Sequence, residues 1–529
     1  MERIRIRPLA LAAIMGAVAL VPMFGSSALA SSSSRPNEVA FSRGLANVQV
    51  LPSLLPNSKE NTSIVAQNDG TAAATIVMDI YTPAGVLIPS ASVPFANVPP
   101  GGTRVFAQAT NTGLTPGFRG VGVISSDQPV NTLEVRDIQE NGTGIDSYDI
   151  HAVSTAGAMK VALPYVSNAL ENTFNTRFAI ANTSTTQACV TIQYVFPGGA
   201  KSPVSDNGPG GGGCTTGYAI PVNGQISFAP TAIDGAIPMP ASTNNSIMAA
   251  TITSTAPVTV SVDAYLTGAH KLGSYDGFAV DADPTKSDLG TTVLIPVAAK
   301  LDGFYTQILL SNPGATDAHA TITYKDQNTG TTYPVSLTVP AAGTANHSVY
   351  DTAGNIPEGF VGSAVVTSDQ PLAAVVFRSQ MTAPGSFIDL DTYTAAKGIP
   401  VGRATTTAKV PLIFRRAYSA GSNFGYNTWV NVTVADGGTA NVTLTSINDT
   451  TNAAPGCSAA ATFTTTKQVN GSFIFYQNAD TDTGFGPNPP ACFWGGMTIT
   501  SDKPIIAVAN ATNDLNVGDN DGLFNAFSN

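Results

Sequence analysis

The sequence predicts an all-β chain built of four tandem antiparallel β-sandwich modules. Three observations lead there. Thr, Val, Ala and Ser are plentiful while Glu and Lys are scarce, a mix that favours strands over long helices. Fifty Gly and thirty-six Pro break the chain often. Above all, two landmarks recur along it, and recurrence at this spacing marks tandem units.

The first landmark is a strand followed by a turn. It reads Val123-Ile124-Ser125-Ser126-Asp127-Gln128-Pro129-Val130, then Thr251-Ile252-Thr253-Ser254-Thr255-Ala256-Pro257-Val258. It returns as Val365-Val366-Thr367-Ser368-Asp369-Gln370-Pro371-Leu372 and as Thr498-Ile499-Thr500-Ser501-Asp502-Lys503-Pro504-Ile505. A glycine precedes three of these prolines at a fixed offset (Gly120, Gly362, Gly495), with Phe118, Phe360 and Phe493 two residues further back. The second copy departs, with Met248 and Ser246 there. Short polar side chains before proline favour a tight turn, and apolar runs on both sides predict a hairpin between two buried strands.

The second landmark opens each unit. An apolar stretch around Pro52, Pro164, Pro296 or Pro411 leads through a strand to Asn68, Asn182, Asn312 or Asp436. The next strand keeps its phase in three copies: Ile76, Met78, Ile80; Val190, Ile192, Tyr194; Ala320, Ile322, Tyr324. Thr75, Thr191 and Thr321 point the other way. A one-residue slip would bury the threonines, so shared phase predicts a shared fold. In the fourth copy Val442 and Leu444 keep the alternation, and Ser446 is expected to end it.

About seven short strands over roughly 110–130 residues fit a two-sheet sandwich, immunoglobulin-like in the broad sense. Expected boundaries are a signal peptide at 1–30, a Ser-rich lead-in at 31–45, and modules at 46–155, 156–287, 288–400 and 401–529. Short linkers between modules predict a stiff rod.

The first thirty residues have the three parts of a secretory signal: Arg3, Arg5 and Arg7, an apolar run from Leu9 to Phe24, and Ala28-Leu29-Ala30. Cleavage near Ser31 predicts a secreted or cell-surface protein with no membrane insertion afterwards, since no later stretch is apolar for long enough. The C-terminus carries no hydrophobic tail or sorting motif. Net charge is −11 and charged residues make up 11%, which leaves no basic footprint for nucleic acid.

Four cysteines in an exported chain predict disulfides, and pairing within modules gives Cys189–Cys214 and Cys457–Cys492. Catalytic signatures are missing: the four histidines (His151, His270, His319, His347) are scattered, and no nucleophile elbow, zinc pair or phosphate loop occurs. The chain is therefore expected to be no enzyme and to need no cofactor. Ca²⁺ is the one ion the sequence suggests, through alternate carboxylates at Asp480 and Asp482 and at Asp519 and Asp521. Both tryptophans lie in the fourth module. Trp429 alternates with Val430 and Val432, so if the valines face the core the indole faces out, and Tyr426, Trp429 and Trp494 become candidates for stacking on a sugar.

The motif Phe360-Val361-Gly362-Ser363-Ala364-Val365-Val366-Thr367-Ser368-Asp369-Gln370-Pro371-Leu372 resembles a repeat of large secreted and surface proteins of bacteria. The resemblance covers all four modules loosely and implies a structural or adhesive role. The expected function is thus a non-enzymatic surface protein for structure or assembly, with self-association or a surface glycan as the partner. The alternative is a glycan-binding adhesin that uses its fourth module, whose tryptophans, disulfide and Asp-rich segments set it apart.

Overall fold

The structure, a computed structural model, describes residues 44–46, 51–52, 59–115, 117–139, 147–153, 157–170, 174–199, 201–232, 235–266, 271–301, 303–381, 390–417, 426–448, 462–477, 493–513 and 521–528. Every described residue lies within one compact unit, Ala40–Asn529. Its regular elements are strands joined by turns and short 3-10 segments, with no α-helix among the described residues. The chain is all-β.

The Ser-Asp-Pro landmark forms a corner, not the expected hairpin. Val121–Ser126 pairs with Ala74–Tyr81 in one sheet, whereas Val130–Gln139 pairs with Lys59–Asn68 in another. Further along, the strand does not even break: Ser246–Leu266, Phe360–Met381 and Phe493–Asn513 run straight through Pro257, Pro371 and Pro504. In Ser246–Leu266 the first half pairs with Ala188–Val195 and the second with Phe174–Asn182. Proline is tolerated because pairing partners change there and its missing N–H breaks no ladder bond.

The polar residues of the landmark hold the corner in the same way each time. The hydroxyls of Ser126, Ser254, Ser368 and Ser501 each accept the N–H two residues on, at 3.2–3.3 Å. Asp127, Asp369 and Asp502 accept the N–H of Thr75, His319 and Asn441 at 2.8 Å, and Thr255 serves Cys189 at 2.9 Å. Landmark glycines sit where a side chain would collide: a Cβ at Gly120 or Gly362 would strike the carbonyl of Tyr81 or Lys325.

The Asn landmark is equally regular. Asn68, Asn182 and Asn312 are fully buried. Each amide donates to at least two carbonyls: Ala72 and Val98 for Asn68, Thr186, Ile220 and Pro221 for Asn182, and Thr316 and Val339 for Asn312. Each Oδ1 accepts the N–H two residues on. Asp436 cannot donate; it lies exposed, accepting from Gly438 and Lys503. The expected phase of the next strand is present, with Ile76, Met78, Ile80, Val190, Ile192, Tyr194, Ala320, Ile322 and Tyr324 all buried. Ser446 is buried too, and the fourth strand continues to Asn448, so the alternation does not end there. Each fully buried Val, Ile or Leu contributes about 1.5–3 kcal/mol.

A stiff rod would keep the first and fourth stretches apart, and this is corrected by the packing. Four edge strands, Ser147–Ala152, Lys271–Asp276, Leu390–Lys397 and Asp521–Asn525, each pair on one side only with their own sheet. They then pack on one another in a closed order, the last against the first. The free edges explain why, since unpaired backbone needs a partner. Asp149 accepts the Ser274 N–H and, at 3.2 Å, the Thr394 hydroxyl. The Thr394 hydroxyl oxygen accepts the Leu523 N–H at 2.7 Å. Asn525 accepts from the Lys397 N–H at 2.8 Å and donates to its carbonyl at 2.7 Å.

Candidate functional site

The strands of this convergence carry charges where an apolar core would be expected. Val130–Gln139 contributes Glu134 and Arg136, Phe174–Asn182 contributes Arg177, and Ser246–Leu266 contributes Asp263. All four are buried. Asp263 pairs with both Arg136 and Arg177, the latter at 3.0 Å, and accepts the Ser274 hydroxyl at 3.0 Å. Burial alone would raise the Asp263 carboxyl, but the two guanidiniums overcome it and hold it well below the usual carboxylate range.

His151 stands beside this pair. Its Nε2 lies 3.7 Å from Glu134, 3.7 Å from Asp276 and 3.3 Å from the Ser261 hydroxyl. Burial lowers the imidazole to about 4, with Arg136 adding to it and Asp263 opposing. Burial, then Asp263 and Asp276, push the Glu134 carboxyl well above its ordinary value. A serine, a histidine and carboxylates within reach suggest an acyl-transfer triad, but the geometry differs. A triad histidine offers one nitrogen to the nucleophile and the other to the carboxylate. Here hydroxyl and carboxylates all face Nε2, while Nδ1 is buried without a hydrogen-bond partner. The space beside it, lined from all four stretches by residues such as Ser274, Lys397 and Asn525, measures about 10 Å³. That is room for about one water, not a substrate. The cluster fastens strands together.

The residues singled out from the sequence are spread over separate places. Cys189 and Cys214 form a disulfide. Cys457, Cys492, Asp480, Asp482 and Asp519 lie outside the described residues. Asp521 is buried, receives Arg378 at 3.0 Å and the Asn510 amide at 3.1 Å, and so spends its charge inside the protein. No group of three or more metal-ligating side chains occurs among the described residues.

Val430 and Val432 are fully buried and Trp429 takes the other face, but that face meets another part of the chain. The Arg378 guanidinium sits 5.5 Å from the Trp429 ring and 4.1 Å from that of Phe304. Trp494 is buried near Phe414, and Tyr426 is half-buried against the same phenylalanine, 5.2 Å away. The aromatics are thus packing partners within the fold. A polar cleft of about 240 Å³ lies elsewhere, on a sheet face formed by Lys160, Thr191, Gln193 and Thr253 and walled by Pro313.

Sequence reasoning missed the buried charges altogether. Nothing local marks them: Glu134, Arg136, Arg177 and Asp263 stand in strands that also carry Asn131, Thr132, Asn175, Thr176 and Ser261, so they read as ordinary polar strand positions. Among the described residues no helix is long and apolar enough to cross a membrane. No family model matches the chain. No curated protein matches it. Among solved structures, one described as "Crystal structure of tetra-tandem repeat in extending region of large adhesion protein" is 12% identical over 89% of this chain and 95% of that one, with a TM-score of 0.10. A score so low carries no argument about fold or role.

Proposed function

We propose that this is a non-enzymatic extracellular or cell-surface protein whose work is structural, built of four immunoglobulin-like sandwich copies with the boundaries given above. The observation that carries the reading is the repeated corner. The same serine and the same aspartate (or threonine) positions make the same hydrogen bonds four times, which supports the reading that one unit is repeated in tandem. The second support is how the polar interior is spent. Buried charges pair with each other across neighbouring copies, and the candidate aromatics and Asp521 are engaged internally. A disulfide fits an oxidising compartment.

The test is to purify the mature chain and measure self-association by light scattering over a concentration series, beside glycan-array binding and a broad hydrolase screen. Concentration-dependent assembly without glycan binding or turnover is expected. Turnover, or tight binding of one glycan by a chain that stays monomeric, would replace the structural reading.

A further inference from the structure

Three of the four contacts in the closed cycle join stretches consecutive in the chain; the contact between the fourth and the first joins stretches that are not. That seam is built like an interface between separate proteins. On one side the sheet of Lys59–Asn68, Val130–Gln139 and Ser147–Ala152 is apolar on its second face. Val65, Leu133 and Ile150 share a core with Val410, Ile413 and Phe524 of the fourth stretch, while Ile64 and Ala66 belong to the first stretch's own core. Around this apolar patch, Lys409 pairs with Asp69 at 3.2 Å and the Thr103 hydroxyl donates to the Pro411 carbonyl at 3.0 Å. An apolar patch joined by an ion pair and a buried hydrogen bond has the composition of a docking surface. Glycine brings the two sides close: a Cβ at Gly496 would lie 3.0 Å from the Gly101 carbonyl oxygen and would collide with the Gln67 side chain.

Resting on the structural reading above, we propose that this seam is also the protein's self-assembly surface, with the fourth stretch of one copy seated on the first stretch of the next. The partner is a second copy of this chain. Every contact is retained when two chains exchange these ends, so the swap costs no new interface. Exchange in a pair closes a dimer, and exchange passed along from copy to copy makes an open chain. Within one copy the tether gives an effective concentration of about millimolar, so dilute protein keeps its own seam closed. Crowding, or passage through a state with the seam open, exchanges partners.

The ion pair supplies the readout. A carbodiimide condenses the Asp69 carboxyl with the Lys409 amine into an amide with loss of water, and only side chains in direct contact react efficiently. Equal amounts of ¹⁵N-labelled and unlabelled mature protein are mixed, opened in mild denaturant and returned to native buffer at about 10 µM or near 1 mM. They are then cross-linked and digested. At the low concentration the Asp69–Lys409 peptide pair should be wholly light or wholly heavy. At the high one, hybrid pairs should rise toward half of the total, in the oligomeric fractions. Gly496→Val should abolish both kinds of cross-link, with retention of the Cys189–Cys214 bond and of the β circular dichroism confirming that the sheets persist. Lys409→Met, which leaves the backbone undisturbed, should remove the cross-link yet permit oligomers. Oligomers without hybrid pairs would overturn the swap and leave the structural reading standing. No oligomer at any concentration would overturn both.

Discussion

Replacing Asp263 by Asn keeps the size of the side chain and removes a carboxylate that pairs with both Arg136 and Arg177. Arg136 is 1% exposed and Asp263 4%, so water cannot take the place of the lost charge. Removing one partner of a buried pair costs about 3–5 kcal/mol, because the remaining charge stays desolvated. With two guanidiniums affected, the upper half of that range is expected. Denaturant unfolding at neutral pH, followed by circular dichroism, reads the loss. The acid limb adds a second check. Because the Asp263 carboxyl is held below its ordinary value of 3.8, its contribution is complete above that pH and is lost as pH falls below it. The variant should therefore lose more stability at pH 7 than at pH 2. The exposed pair Lys503–Asp436 is the control, and Asp436→Asn should leave the curve unchanged. A loss under about 1 kcal/mol for Asp263→Asn would refute the account of a charge network that holds the first two stretches together.

His151 is neutral when folded, with its pKa lowered from 6.5 to about 4. The unfolded chain takes up that proton first, so stability should fall as pH drops from 6.5 toward 4. His151→Gln should flatten the profile in that window, where the shift accounts for about 3 kcal/mol. The Cys189–Cys214 bond closes a sequence separation of 25, worth about 3 kcal/mol by chain entropy. The double variant Cys189→Ala/Cys214→Ala should lose about that much in denaturant titrations run without reductant. Asn312→Asp replaces an amide that donates to two carbonyls with a buried carboxylate facing them, and should cost at least about 2 kcal/mol in the same assay.

What could be read from the sequence was whatever depends on local pattern. The phase of Ile76, Val190 and Ala320, the recurrence of Asn68, Asn182 and Asn312 before that strand, and the pairing of Cys189 with Cys214 follow from alternation, repeat spacing and cysteine count, whereas the buried hydrogen bonds of the three asparagines do not. The corner at Pro257, Pro371 and Pro504 could not be told from a hairpin, because both present an apolar run, a turn and another apolar run. Only the identity of the pairing partners separates them, and that is non-local. The closed packing was hidden for a similar reason. Val65, Leu133 and Ile150 lie on the second face of a sheet whose first face already has a core, and the sequence does not say what covers them. The alternation of Trp429 with Val430 and Val432 puts the indole on the face opposite the valines, but the neighbour on that face, Arg378, comes from a distant part of the chain. Glu134, Arg136 and Asp263 look like solvated strand residues until their partners across the convergence are known.

Backbone hydrogen exchange at three of the converging edge strands decides whether the four stretches close on one another. In the closed packing the N–H groups of Ser274, Lys397 and Leu523 are held by Asp149, Asn525 and Thr394 of neighbouring stretches. They should exchange as slowly as amides inside the sheets, such as those of Val262 and Val376. Fast exchange at all three, at the rate of open edge strands, would mean that the stretches do not close on one another and would contradict the account.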